Sequence, residues 1–380
     1  MGSDNAGVDR LNQATAAPAW DRFAQWGAWP ARVLLAVAAI LLVLAAITPL
    51  TASMDGTPAE VPSLVGGEPS DAAEHERDED LAFYDRVIDR IESGESYYDF
   101  IVEEQRARAY PVRPGLAVRL PTLAYIHAWL GEPGLIAMAI VLMGVTVWAW
   151  WKRLGDEPGG KRRQRIGAAL MLMGGSLGLN RYYFVLHELW AGMLLALAFG
   201  LHRPGRWGWP LAVAALALAI REHVLPFVLL MGAMAAWRRD WKEAAAWSAL
   251  VIVFLLAIAW HFSLVVPQVL PSDPESPDWL VLRGMAGWLG NVVLSSNLRF
   301  LPHEIAGPMV VLMALGWAGW KSPAGTTGTL LYLGYALAFM LAGRANNFYW
   351  GAVVAPAMFI GLAFLPMALV SLVNAARGKA

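Results

Sequence analysis

Two aspartates at the start of an amphipathic stretch are the residues best placed for chemistry. From Asp78 the chain reads Asp-Glu-Asp-Leu-Ala-Phe-Tyr-Asp-Arg-Val-Ile-Asp-Arg-Ile, which has a helical period. At about 100° per residue, the apolar side chains share one face, formed by Leu81, Tyr84, Val87, Ile88 and Ile91. Asp80 precedes Tyr84 by one turn and falls on this face, whereas Asp78 points elsewhere. A carboxylate there could deprotonate a substrate that approaches along a membrane surface.

Acids in the first turn of a helix also have a purely structural explanation. They cap free amides and complement the positive end of the helix dipole. This explanation is sufficient for Asp78 and Glu79, but less so for Asp80, because a cap does not need to face the apolar side. We therefore take Asp80 as the candidate general base, with Asp78 beside it.

Four arginines follow in a proline-rich stretch, at positions 106, 108, 113 and 119. Arginine recognises phosphate through paired hydrogen bonds, so Arg113 and Arg119 are candidate ligands of a lipid phosphate. Simple ion pairing is the alternative, and the nearby acids are Glu92, Glu95, Glu103 and Glu104.

Three consecutive ionisable residues, Arg221, Glu222 and His223, interrupt a long apolar stretch. A charged group at bilayer depth costs about 2.5–3.5 kcal/mol on insertion scales, so such groups usually face a cavity or a partner. Arg221 is the better phosphate ligand, and His223 is a candidate at the same site. The alternative is a solvated turn between two short spans, which needs no function.

Further candidates are His187 and Glu188, which form a possible acid/base or metal pair, and Arg344. An interfacial cap is the alternative for the first pair, and it is the slightly favoured interpretation. Arg344 could bind an anionic headgroup or anchor the chain at the interface, and Asn346, Asn347 and Tyr349 after it add hydrogen-bonding capacity.

The composition indicates a polytopic membrane protein. Of the 380 residues, 57% are hydrophobic and 19 are tryptophan, and the mean hydropathy is +0.46. A net charge of −1 without a basic stripe argues against a nucleic-acid partner. Cysteine is absent, which excludes a disulfide framework and a thiolate nucleophile. No phosphate loop, dinucleotide fingerprint or other soluble-enzyme motif is present.

Apolar runs predict an all-α, polytopic protein with about ten transmembrane helices and amphipathic juxtamembrane helices in the first outer loop. The domains are a cytoplasmic segment 1–30, a first span 31–50, an outer loop 51–132, a bundle 133–375 with a second outer loop near 263–302, and a tail 376–380. The stretch 209–237 is interpreted as two short spans that meet at Arg221-Glu222-His223. A surface helix is expected over 279–298.

Basic clusters follow the second, fourth and sixth predicted spans and occupy the C-terminal tail. The positive-inside rule then places both termini in the cytoplasm. The long loops, the helix break and the turn at Arg344 fall on the outer side, which in a bacterial inner membrane is the periplasm. We expect this face to be the working side.

The order of short motifs resembles the GT-C superfamily of integral-membrane glycosyltransferases. A first span is followed by an outer loop in which Asp80 precedes Tyr84 by four residues. The element Gly94-Glu-Ser-Tyr-Tyr98 comes next, and then a proline-rich re-entry from Tyr110 to Leu130-Gly131. The Arg-Glu pair at 221–222 is also similar to bacterial members.

The resemblance implies inverting transfer of a sugar from a polyprenyl-phosphate donor on the outer face. Asp80 would deprotonate the acceptor, basic residues would hold the leaving phosphate, and Tyr84 and Tyr98 belong to the substrate-binding motifs. Some relatives use a divalent metal at the acidic motif, so Mg²⁺ or Mn²⁺ at Asp78/Asp80 stays open.

The sequence shows no large soluble C-terminal domain of the kind that recognises peptides, which favours a lipid or glycan acceptor. A lipid or sugar transporter or flippase, or a non-catalytic envelope-assembly scaffold, is the alternative.

Overall fold

The computed structural model describes residues 20–54, 57–60, 79–157 and 160–379. Apart from one antiparallel hairpin, β1 (Thr51–Met54) and β2 (Thr57–Glu60), the regular structure of these residues is helical. The α-helices are, in chain order, α1 (Ala28–Ile47), α2 (Glu79–Glu92), α3 (Tyr97–Ala107), α4 (Thr122–Gly155), α5 (Gly160–Gly175), α6 (His187–Leu201), α7 (Gly208–Ile220), α8 (Leu225–Trp237), α9 (Trp241–Val265), α10 (Gly284–Leu294), α11 (His303–Gly319), α12 (Pro323–Leu341), α13 (Ala355–Met358) and α14 (Leu365–Ala376).

Short 3₁₀ segments join several of these helices. They are Gly115–Ala117, Ser176–Leu179, Arg181–Tyr183, Glu222–Val224, Val266–Gln268, Asn297–Phe300, Ala345–Val353 and Phe359–Ala363.

The coarse prediction of a helical membrane protein is confirmed. Four described helical segments are long and apolar enough to cross a bilayer: Ala28–Ile47, Gly115–Gly155, Trp241–Gln268 and Pro323–Leu341. A fifth is formed if Ala355–Ala363 and Leu365–Ala376, bent by 52°, count as one broken span. The predicted count of ten spans is not confirmed.

The stretch 208–237 is two short helices that meet at the predicted break. Helices α7 and α8 have 13 residues each, so each is about 20 Å long, against about 30 Å of hydrocarbon. Arg221 is extended (φ −148°, ψ 119°) and ends α7. Pro226 lies in the first turn of α8, where its missing N–H breaks no helical bond.

Helices α2 and α3 form a layer with its own small core at one end of α9. Phe83 and Val87 of α2 pack with Phe100 and Ile101 of α3 and with Val265 at the end of α9, and all five are buried. This core explains why α2 is amphipathic, since its apolar face lies against protein and not against water.

Polar contacts attach this layer to the second loop. Arg106 of α3 binds both carboxylate oxygens of Asp273, at 2.5 and 3.0 Å, and donates to the Gln268 carbonyl at 2.8 Å. The hydrogen bond from Arg106 lowers the pKa of Asp273 below its ordinary 3.8, so the carboxylate stays ionised at neutral pH. The two loops are therefore attached to each other by charge as well as by apolar packing.

Three arginines of the proline-rich stretch, Arg106, Arg108 and Arg113, lie beside carboxylates, but only Arg108 pairs with one of the acids of its own loop named above. Arg108 pairs with Glu104 at 2.7 Å, as the ion-pairing alternative predicts. Arg113 reaches instead to the second loop, where it donates to the Asp273 carbonyl at 3.2 Å and lies 3.8 Å from Glu275.

The expectation of a surface helix over 279–298 is wrong. The helix is the shorter α10, and its residues from Gly287 to Leu294 are all buried. It packs against α12, the 3₁₀ segment 345–353 and, less extensively, α11. Because its sequence is apolar on every side, burial within the bundle is the expected outcome for such a helix.

Close backbone approaches hold the broken C-terminal span against the bundle. A Cβ atom on Gly316 of α11 would collide with the backbone of Gly361, and one on Gly361 would collide with the Met313 carbonyl. A Cβ on Gly351 would likewise meet the Asn291 backbone in α10. Small residues permit this approach, which is a common mode of helix packing in membranes.

We expect Gly316→Ala to destabilise the protein by about 1–3 kcal/mol, because the added methyl group overpacks a backbone contact. Gly334→Ala in α12 is the matched control, since a Cβ there meets no atom within 4 Å. Thermal unfolding of both variants in detergent measures the difference. Equal stability of the two variants would contradict the close approach.

Candidate functional site

A cavity of about 380 Å³ lies where the α2/α3 layer meets the bundle. Five segments supply its wall: the layer itself, the chain from 110 to 124, the start of α6, the break between α7 and α8, and the segment 344–350. Ser276 and Trp279 of the second loop complete it.

Seven of the eleven residues predicted from the sequence line this cavity: Asp80, Tyr84, Arg119, His187, Arg221, His223 and Arg344. Tyr98, Arg113 and Glu188 are not part of its lining, and Asp78 lies outside the described residues. The seven residues come from five parts of the chain, so their meeting is a property of the fold.

Asp80 lies in the first turn of α2 and lines the cavity together with Tyr84 one turn later. Its side chain is exposed. The helical period therefore places the carboxylate on the side of α2 that faces the cavity. Its position in the first turn also satisfies the capping explanation, so geometry is compatible with both interpretations.

Arg119 lies in the cavity wall, in contact with both α2 and α3. Its Nε donates to the Tyr84 hydroxyl at 3.4 Å, and a guanidinium nitrogen lies 3.7 Å from Glu222. The Tyr97 hydroxyl donates to the Arg119 carbonyl at 2.7 Å. Burial raises the pKa of Tyr97 well above its ordinary 10.0, so it remains a neutral donor that fixes this part of the chain.

Arg221 is the most deeply buried cation of the site. Only 1% of its surface is exposed, and its guanidinium lies 2.6 Å from Glu188 and 2.5 Å from Glu222. The solvated-turn alternative is therefore wrong for this residue. Glu188 is itself buried and holds Arg221 from the first turn of α6, so its place behind the cavity wall is that of an ion-pair partner.

His223 joins the helix break to the segment 344–350. Its ring packs on that of Trp350 with 4.5 Å between centroids, and its carbonyl accepts from the Tyr335 hydroxyl. His187 lies next to α2, with 5.2 Å between its ring and that of Tyr84. His223 thus contacts the segment 344–350, whereas His187 contacts α2.

The structure adds aromatic residues to the lining that sequence reasoning missed, namely Tyr97, Tyr110, Trp279 and Trp350. Trp279 falls at the start of the predicted surface helix over 279–298. With 19 tryptophans in the chain, no sequence signal separates these positions from ordinary interfacial anchors.

Tyr98, which does not line the cavity, connects α3 to α9. Its hydroxyl lies 3.0 Å from the Nδ1 atom of His261, whose Nε2 is 3.1 Å from the Val118 carbonyl. The Gln268 amide donates to the Tyr98 carbonyl at 2.9 Å. Burial raises the pKa of the Tyr98 phenol to about 12. Its contacts are those of a residue that positions α3.

The metal prediction is not resolved by the described residues. Among them, no group of three or more His, Asp or Glu side chains is arranged to hold an ion. Asp78, the second half of the predicted Asp-x-Asp pair, is not described, so Mg²⁺ or Mn²⁺ at this pair stays a prediction.

Comparison with protein-family models, with curated proteins and with solved structures gives no significant match.

We expect Glu188→Gln to destabilise the protein by about 3 kcal/mol or more, because it leaves Arg221 buried with a single carboxylate. Glu132→Gln is the control, since Glu132 pairs with Arg181 at 3.2 Å with side chains 62% and 76% exposed. Such a surface pair contributes at most about 1 kcal/mol. Unfolding of both variants in detergent compares them, and a Glu188→Gln protein as stable as the control would disprove the buried pair.

Proposed function

We propose that this protein is an integral-membrane glycosyltransferase of the GT-C type. It transfers a sugar from a polyprenyl-phosphate donor to a lipid or glycan acceptor, with inversion at the anomeric carbon. One observation carries the proposal: a single cavity gathers the loop carboxylate Asp80, the cations Arg119 and Arg344, and the buried break at 221–223.

The chemistry requires a base and a cation at opposite ends of one displacement. Asp80 accepts the proton of an acceptor hydroxyl as the oxygen attacks the anomeric carbon. The bond from that carbon to the phosphate oxygen breaks, and the polyprenyl phosphate leaves with the bonding electrons. Cationic side chains stabilise the charge that develops on this leaving group. A single displacement inverts the configuration.

The positions of Asp80, Tyr84 and Arg119 support the roles of base and cation in this reaction. Asp80 is exposed at the cavity, so an acceptor can reach it from solvent. Tyr84 lies one turn after Asp80 in α2, and its hydroxyl accepts a hydrogen bond from Arg119. This contact joins the helix that carries the base to the cationic wall. Leu116, Leu120 and Ala124 of the apolar segment Gly115–Gly155 line the cavity, so the lipid tail of a donor would lie along this segment.

The proposed topology has ten crossings in a bacterial inner membrane, with both termini in the cytoplasm and the cavity on the periplasmic side. Its support is the distribution of Lys and Arg in the sequence. The short helices α7 and α8 then form two incomplete crossings that meet at the cavity wall.

The absence of cysteine makes the sidedness directly testable. A single cysteine at Asp89, exposed on α2, should react with a membrane-impermeant maleimide added to spheroplasts. Lys242→Cys, exposed at the start of α9, should react only after the membrane is permeabilised. The reverse pattern would overturn the proposed orientation.

We expect Asp80→Asn to lower turnover by about 10²–10⁴-fold while donor binding and folding are kept, because only the base is lost. Asp89→Asn on the same helix is the control, since it is exposed and outside the cavity lining. Purified protein in lipid is given a panel of radiolabelled polyprenyl-phosphate sugars, and release of polyprenyl phosphate is measured.

Three results would count against the proposal. Full activity of Asp80→Asn would remove Asp80 as the base. Movement of the lipid-linked sugar across the bilayer without a covalent change would favour a flippase. Failure of the wild-type protein to bind any donor would favour the scaffold alternative.

A further inference from the structure

Three consecutive apolar residues of the second loop, Leu280, Val281 and Leu282, have exposed side chains. Leu280 is 84% exposed and Leu282 is 80% exposed. The three residues form no helix or strand, and they lie between the half-buried Trp279 and Arg283. A run of exposed apolar side chains is unfavourable in water, so it indicates a surface that contacts something apolar.

The backbone on each side of this run is bonded to the end of α12. The Gly343 N–H donates to the Trp279 carbonyl at 2.7 Å, and the Arg283 N–H donates to the Met340 carbonyl at 2.9 Å. The run is therefore a short bridge between two anchored ends. Its depth in the membrane follows from the depth of the end of α12.

Helix α12 is one of the described segments that are apolar enough to cross a bilayer. It has 19 residues, so it is about 29 Å long, which is close to the hydrocarbon thickness of about 30 Å. Its exposed leucines are spaced three or four residues apart and share one face, which is the face that contacts lipid: Leu330, Leu333, Leu337 and Leu341.

The lipid-facing side of α12 reaches the loop. Leu341, the last of its exposed leucines, lies between Met340 and Gly343, the two residues that bind the backbone around the apolar run. A helix that crosses the whole hydrocarbon layer ends at the boundary between acyl chains and headgroups. The run is thus held at this boundary, next to a surface that already contacts lipid.

We propose that the segment Leu280–Leu282 inserts into the membrane leaflet on the cavity side and rests on the acyl chains of its phospholipids. The inference concerns a different surface from the catalytic site and does not depend on the proposed function. Trp279 lines the cavity and Leu280 follows it directly. The cavity wall at Trp279 therefore adjoins lipid and not water.

The residues before the run show where the loop leaves water. Ser272, Glu275 and Asp278 are polar and exposed, and the apolar run begins two residues after Asp278. Trp279 stands at the change, and tryptophan is enriched at the boundary between membrane and water. The sequence of the loop thus passes from aqueous to apolar surroundings at Trp279.

The backbone limits the depth of insertion. Within the described residues, the N–H groups of Leu280, Val281 and Leu282 donate no backbone hydrogen bond. In the hydrocarbon core each such group would cost several kcal/mol, so irregular chain exposed to lipid does not occur there. Water among the headgroups can bond these groups instead. The side chains therefore extend about 5–10 Å into the headgroup/acyl boundary, as those of an interfacial helix do.

Fluorescence quenching in liposomes tests the proposal. Because the chain has no cysteine, Leu280→Cys and Leu282→Cys each offer a single site for a nitrobenzoxadiazole label. The full-length protein is placed in vesicles of phosphatidylethanolamine and phosphatidylglycerol, and the quenchers are aqueous iodide and lipids with a nitroxide at one of two acyl depths. Both labels should lie about 5–10 Å into the boundary by nitroxide quenching, and they should be protected from iodide.

Two further single-cysteine variants supply the controls. Ser272→Cys is exposed on the same loop, and its label should be quenched by iodide and not by the nitroxide lipids. Leu333→Cys on the lipid-facing side of α12 should be quenched most strongly by the deeper nitroxide. Since all four side chains are exposed, the substitutions remove little packing, and thermal unfolding in detergent checks that each variant is folded.

Three results would overturn the inference. Quenching of the Leu280 and Leu282 labels by iodide as strongly as that of the Ser272 label would place the run in water. Quenching by neither agent would show that protein covers the run. Quenching at the depth of the Leu333 label would show that the run lies in the hydrocarbon core. None of these results bears on the transfer of a sugar, which the release of polyprenyl phosphate tests separately.

Discussion

The buried ion pairs of Arg221 are the interaction on which the site depends. A lone guanidinium within an apolar stretch would be costly, and Glu188 and Glu222 compensate it at 2.6 and 2.5 Å. To meet both acids, the chain leaves the helix at Arg221 and begins another at Leu225. These ion pairs thus join the start of α6 to the break between α7 and α8 at the wall of the cavity.

A second constraint brings Arg344 to the same wall. The last part of the chain is not one continuous span but a series of 3₁₀ and α-helical pieces from Ala345 to Ala376. Glycines such as Gly351 and Gly361 let these pieces approach the neighbouring backbones closely. In lipid, such packing replaces the hydrophobic driving force, which is weak between apolar helices. The turn after α12 is half-buried against the cavity wall, and His223 packs against Trp350.

The layer of α2 and α3 determines which side chains face these cations. Helices α2 and α3 share a small apolar core with the end of α9, and Arg106 attaches them to Asp273 in the second loop. That attachment orients α2 so that Asp80 and Tyr84 line the cavity. The carboxylate and the cations therefore belong to separately stabilised parts of the molecule, and the cavity exists because these parts are joined.

Local pattern was enough to identify the helical membrane character, the amphipathic helix that carries Asp80 and the break at Arg221, since each depends on the period or polarity of neighbouring residues. Local pattern also grouped Arg119, Arg221 and Arg344 as candidates, because charge near apolar sequence is expensive wherever it occurs. It could not place α10 inside the bundle or choose Glu188 as the partner of Arg221. Nor could it show that, among the described residues, Arg119 and Arg221 lie near carboxylates whereas Arg344 does not. Those outcomes depend on distances between segments far apart in the chain, and only the packing of the helices sets such distances.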